Sequence, residues 1–115
     1  MNNTLKEQST ISQILGTIYD FGKNYYNMRM DNTVGGDKYF HCKANFEATR
    51  RGATGKSLAA IISNARELSN AQSNPKRKNM TIEESLIDCI EDQFANTTGR
   101  QNAKNMLYQN AKEGC

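Results

Sequence analysis

Apolar residues recur at Ile11, Ile14, Leu15, Ile18, Phe21, Tyr25 and Met28, the three-and-four spacing of one helical face. The pattern predicts a long first helix, opened by Thr10-Ile11-Ser12-Gln13 as a capping box and closed before Gly35-Gly36. Gly16 and Gly22 fall inside it, each about 1 kcal/mol poorer than alanine, which implies close packing or a loose helix. Asp37 is a natural N-cap for a second helix whose apolar surface is Tyr39, Phe40, Ala44, Phe46 and Ala48. Gly52 and Gly55 bracket its end. Thr54 or Ser57 then caps a third helix carrying Leu58, Ile61, Ile62, Ala65 and Leu68.

From Ser69 to Asn79 the chain is rich in Asn, Ser and Lys and contains Pro75, so a loop is expected. A second capping box, Thr81-Ile82-Glu83-Glu84, opens a fourth helix with Ile82, Leu86, Cys89, Ile90 and Phe94 as its inner stripe and Gly99 as its end. Ala103, Met106, Leu107 and Ala111 suggest a short last helix. No stretch alternates apolar and polar residues as a strand would. The fold class is therefore all-α, in a single domain over residues 1–115. Residues 1–9 are read as a flexible N-terminus, 69–80 as a basic loop and 101–115 as a tail.

Composition adds that this core is thin. The 115 residues are 37% hydrophobic, with a mean hydropathy of −0.79, which still leaves room for one modest core. No run approaches the roughly 18 apolar residues of a membrane span. Met1 to Glu7 carry no apolar secretory segment, so the expectation is either a cytosolic chain or one whose signal has been removed. Cys42, Cys89 and Cys115 lie far apart, without the paired spacing of a zinc site, and the odd count leaves a thiol free or bridging to another chain.

The net charge of +3 is unevenly spread. Between Asp37 and Lys78 nine basic residues face three acids, whereas Thr81 to Gly99 holds five acids and no base. The middle of the chain could attract polyanions, and the fourth helix would repel them. Lys76-Arg77-Lys78 is read as an exposed linker rather than an import signal. Gly52-Ala53-Thr54-Gly55-Lys56-Ser57 ends like a phosphate-binding loop but lacks the first glycine and the preceding strand, so nucleotide binding is rejected.

Catalysis has little to stand on. His41 is the only histidine, and its neighbour Cys42 points about a hundred degrees away on a helix. Cys89 from another helix could meet it, yet there is no nucleophile-elbow motif. Asp37, His41, Asn45, Arg66, Glu67, Asp92 and Asn96 are better read as interhelical hydrogen bonds and ion pairs that fix the register of a bundle. No enzyme activity, cofactor or metal is expected.

Taken in order, Tyr25, Met28-Arg29, Asn32, Asp37-Lys38-Tyr39-Phe40-His41, Asn45, Arg51-Gly52, Gly55, Ile62-Ser63-Asn64-Ala65-Arg66-Glu67, Glu84-Ser85-Leu86 and Asp92-Gln93-x-Ala95-Asn96-x-x-Gly99-Arg100 resemble serum amyloid A. The resemblance covers about residues 19–100. It implies a four-helix, cone-shaped bundle, secretion, homo-oligomers, and lipid, lipoprotein, retinol and heparin binding as in the vertebrate members. Three features depart from the family: the cysteines, the missing proline-rich tail and the insertion Ser73-Asn74-Pro75-Lys76-Arg77-Lys78.

The resemblance assigns lipid or membrane contact to the first and third helices, here Ile11, Ile14, Leu15, Ile18, Phe21, Leu58, Ile61 and Leu68. General packing rules would instead make this stripe bundle core. Anionic polysaccharide is assigned to Lys23 and Arg51, with Arg50 and Lys56 beside them, by charge and without reading any nucleic-acid sequence. The rival bland reading is a solvated basic turn. The His41-Cys42 pair and the lack of a signal are also similar to serum-amyloid-like domains at the C-termini of bacterial polymorphic secreted proteins. That likeness implies an effector or toxin domain, and a self-assembling structural protein is a third reading.

Overall fold

The computed structural model describes residues 8–31, 36–77, 79 and 81–115, and the side chain of Asp37 lies outside those described. Four long helices, α1 (Thr10–Asp31), α2 (Gly36–Arg50), α3 (Ala53–Arg77) and α4 (Ile82–Asn102), precede one turn, α5 (Ala111–Gly114). No strand occurs among the described residues. The protein is an all-α bundle, elongated at 50 × 26 × 24 Å. α2 is its axis, packing on α1, α3, α4 and α5.

Local chemistry accounts for most helix ends, sometimes with different residues than the pattern predicts. The N-cap of α1 is Ser9, whose Oγ accepts from the Ser12 amide at 3.3 Å. Gln13 does not close a capping box with Thr10; it is buried, donates to the Gln8 carbonyl and accepts from the Gly55 amide at 2.8 Å. The box at α4 forms as expected, with Glu84 N–H on Thr81 Oγ1 at 3.1 Å and Thr81 N–H on Glu84 Oε1 at 2.8 Å. Gly52 terminates α2 at φ 137°, a left-handed conformation that favours glycine.

Three boundaries move. The expected loop over 69–79 is mostly helix, because α3 runs through Arg77. No glycine interrupts it after Gly55, and Pro75 removes an amide only in the last turn. α4 passes Gly99 and ends at Asn102. The short last helix starts only at Ala111, capped by Asn110, whose Oδ1 accepts from the Glu113 amide at 3.1 Å.

The helices touch through small residues. A β-carbon at Gly55 would sit 2.1 Å from the Ala48 carbonyl oxygen, and one at Gly99 2.1 Å from that of Cys42. Phe21, Ala44, Ala48 and Ala59 make one small apolar cluster, with Ile62 against it. Phe46, Ala103 and Ala111 make a second, with Tyr108. Cys42 and Cys115 form a disulfide (Cα–Cα 5.9 Å) that ties the tail to α2, and Cys89 is the free thiol.

Candidate functional site

The bundle is inverted relative to an ordinary amphipathic one. On α1 the residues facing inward are Gln13, Thr17, Asp20 and Asn24, with Phe21 beside them. Ile11 (71% exposed), Leu15 (63%) and Ile18 (56%) face outward with Ile14, Tyr19, Tyr26 and Met30. The same holds on α4, where Ser85, Asp92, Asn96 and Gly99 are buried. Ile82, Leu86, Ile87, Ile90 and Phe94 are exposed. The expectation that the apolar stripes of α1 and α4 form the core is therefore overturned. Close helix approach through glycine and alanine leaves no room inside for Ile or Leu, and most of the polar residues that do fit satisfy one another, Thr17, Thr49 and Glu67 excepted.

Of the residues assigned to lipid, Ile11, Ile14, Leu15, Ile18, Ile61 and Leu68 are exposed. Leu58 is half-buried, and Phe21 belongs to the core.

The polar interior centres on Asn45 of α2. Its Nδ2 reaches Ser63 Oγ at 3.0 Å, Asn96 Oδ1 at 2.9 Å and the His41 carbonyl at 2.9 Å, while its Oδ1 accepts from Arg100 Nη1 at 2.6 Å. Asn96 donates to Gln93, and Gln93 to Asn64. One side chain thus couples α2, α3 and α4. Beside this network His41, Glu67 and Asp92 meet, and Lys38 bridges Asp92 (2.5 Å) and Asp88 (2.9 Å). Burial, reinforced by the Asp92 carboxylate, pushes the Glu67 carboxyl up to about 8. Arg66 stands outside that cluster, its guanidinium 4.7 Å over the Tyr25 ring.

Of the basic candidates, Lys23, Arg50 and Arg51 line one 430 Å³ cavity, which they share with the acids Asp20 and Glu47. Arg51 makes a two-pronged contact with the buried Asp20 carboxylate at 2.6 and 2.9 Å. Lys23 pairs with Glu47 at 3.2 Å and lies over Tyr19. Arg50 stacks on Phe46 and donates to the carbonyls of Ala103, Asn105 and Tyr108, which folds the tail against α2. Lys56 is different. It borders a 520 Å³ cavity at the start of α3 with Thr49, Ser57, Arg100 and Lys104. The neighbouring Lys104 ammonium holds its pKa below the usual lysine value, with partial burial and Arg100 acting the same way.

Residues 8–112 match the family model described as serum amyloid A protein. The chain belongs to the serum amyloid A family. It is 43% identical over 81 residues to serum amyloid A-3 protein of Bos taurus, covering 70% of this chain and 62% of that one. It is 41% identical over 90 residues to serum amyloid A protein of Ovis aries, covering 75% and 80%. It is 37% identical over 81 residues to serum amyloid A-1 protein of Homo sapiens, covering 70% and 59%. The chain thus spans less than two thirds of the bovine and human relatives' length in these matches. No solved structure matches it.

Within this serum amyloid A family chain, sequence reasoning missed four residues and misassigned one helix face. Lys104 and Arg100 complete the surroundings of Lys56 but lie more than forty residues further on, with no motif linking them. The exposed row on α4 was visible as periodicity but was given the wrong face. Ser63 and Gln93 enter the polar network as ordinary small polar residues that spacing cannot distinguish from surface.

Proposed function

We propose that this serum amyloid A family member is a binding protein, which attaches to lipid or membrane surfaces through the outer apolar faces of α1 and α3. The carrying observation is the solvent exposure of Ile11, Leu15 and Ile18 on one face of α1. Isolated surface leucines are ordinary, but a row of β-branched and aliphatic residues along a 22-residue helix is an interfacial face. No described helix is long and apolar enough to cross a membrane, so the mode is attachment in the plane of the interface. The same face would be covered by a second copy in a homo-oligomer, and lipid and self-association would then compete.

Anionic polysaccharide would bind at Lys56 and Lys104, beside Arg100, whose guanidinium also holds Asn45, rather than at Arg50 and Arg51, which share their cavity with Asp20 and Glu47. Three cations around one cavity with no acid among its lining residues favour sulfate groups.

The test is vesicle co-flotation with anionic liposomes at low and physiological salt. Flotation lost in an Ile11→Ser/Ile18→Ser double variant that stays helical supports the lipid reading. Failure of the parent protein to float at either salt concentration rejects it.

A further inference from the structure

We propose that His41, Glu67 and Asp92 form a site for one divalent transition-metal ion at the junction of α2, α3 and α4. One imidazole nitrogen and two carboxylate oxygens, one donor from each residue, lie within 4.8 Å of one another. All three residues are buried, at 8%, 4% and 2% exposure. His41 Nε2 is 3.7 Å from Asp92 Oδ2. Two donors on a tetrahedral ion with bonds of about 2.1 Å stand about 3.4 Å apart, so small side-chain shifts close the site.

A second observation points to a ligand. Both oxygens of Glu67 are buried, and no hydrogen-bond partner for either is found among the described residues. A buried carboxyl group left without a partner is costly, and a bound ion would satisfy both oxygens. Of the cations nearby, Arg66 lies on Tyr25, and Lys38 sits on Asp92. Lys38 nevertheless has Asp88 at 2.9 Å as a second carboxylate, so it can keep an ion pair while Asp92 turns to a metal.

The surroundings suit an ion with exchangeable positions. His41 and Asp92 also line a 690 Å³ cavity bounded by Phe21, Tyr25, Met28 and Arg66. Water or a small anionic ligand could complete the coordination from there. A mixed nitrogen and oxygen donor set selects Zn²⁺, Co²⁺ or Mn²⁺ rather than Ca²⁺, which takes six to eight oxygens. Cys89 points its thiol at the Glu67 backbone carbonyl (3.5 Å) and is outside the donor set.

Spacing could not reveal this constellation, since each ligand comes from a different helix. It is tested on the whole, disulfide-intact chain, stripped with chelator and titrated with Zn²⁺ by calorimetry and with Co²⁺ by absorption. One ion per chain is expected, with a raised melting temperature. Affinity should fall about tenfold or more in both Glu67→Gln and His41→Gln. Glu67→Gln keeps the side-chain shape, so a folded variant is available, and circular dichroism verifies it. The proposal is overturned if the parent chain shows neither heat nor a melting shift with Zn²⁺. It is equally overturned if folded Glu67→Gln binds as the parent does, or if Co²⁺ gives the intense sulfur charge-transfer band of a Cys89 ligand.

Discussion

The backbone of Gly99 in α4 lies against the Cys42 carbonyl of α2 so closely that a β-carbon would come within 2.1 Å of the oxygen. The obstacle is backbone, not the flexible end of a side chain, so the helices would have to separate. Gly99→Ala is expected to destabilise the protein by about 3 kcal/mol. Gly22→Ala makes the contrast: among the described residues nothing lies within 4 Å of its added carbon, and it should stabilise by about 0.5–1 kcal/mol. Urea denaturation of the two variants checks both signs.

Arg51 and Asp20 form the second test. The carboxylate is 2% exposed and held by two parallel hydrogen bonds, so removing the guanidinium strands a buried charge. Arg51→Ala should cost about 3 kcal/mol or more. Arg51→Lys should recover only part of it, because a single ammonium cannot make the fork. Lys56→Ala should leave the melting temperature unchanged while weakening retention on a heparin column.

The Cys42–Cys115 disulfide closes a loop with a sequence separation of 73. Chain entropy alone assigns such a crosslink about 4 kcal/mol. Reduction, or Cys115→Ser, is expected to lower the urea midpoint and to free the tail, reported by faster amide exchange at Ala111 and Gly114.

Acid should weaken α1–α2 packing. Burial raises the Glu47 carboxyl, but the Asn24 amide and the Lys43 and Lys23 ammonium groups outweigh it, and the net effect is a lowered value. A lowered carboxyl value stabilises the fold above the unfolded value near 4.5, and that contribution is lost as pH falls through the folded value. Between pH 6 and pH 3 the stability difference between the parent and Glu47→Gln should therefore shrink, with Glu47→Gln the less stable at pH 6, while Glu67, raised to about 8, acts in the opposite sense and is common to both proteins.

The helices and the α4 capping box were legible because they depend on residues three and four apart. The end of α3 was not: Ser69 to Arg77 is poor in strong helix formers, and only its attachment to an established helix extends it. Periodicity marked a face on α1 and α4 without saying which way it points. Gly55, Gly99, Ala44, Ala48 and Ala59 decide that, by drawing the backbones together, and their role appears only once the helices are paired. His41, Glu67 and Asp92 read from the sequence as structural partners, but their approach to within a metal's reach depends on the same pairing.

An interior built from Asn45, Asn96, Asp20 and Asn24, with Ile11, Leu15, Ile90 and Phe94 outside, divides the thermodynamics unusually. Heat capacity changes follow apolar surface removed from water, while polar burial acts in the opposite sense. Unfolding a single chain should consequently show a small heat capacity increment and a shallow stability curve. The large negative increment that folding usually carries would appear when the outer face is covered, so thermal stability would depend on protein concentration and on whatever occupies that face.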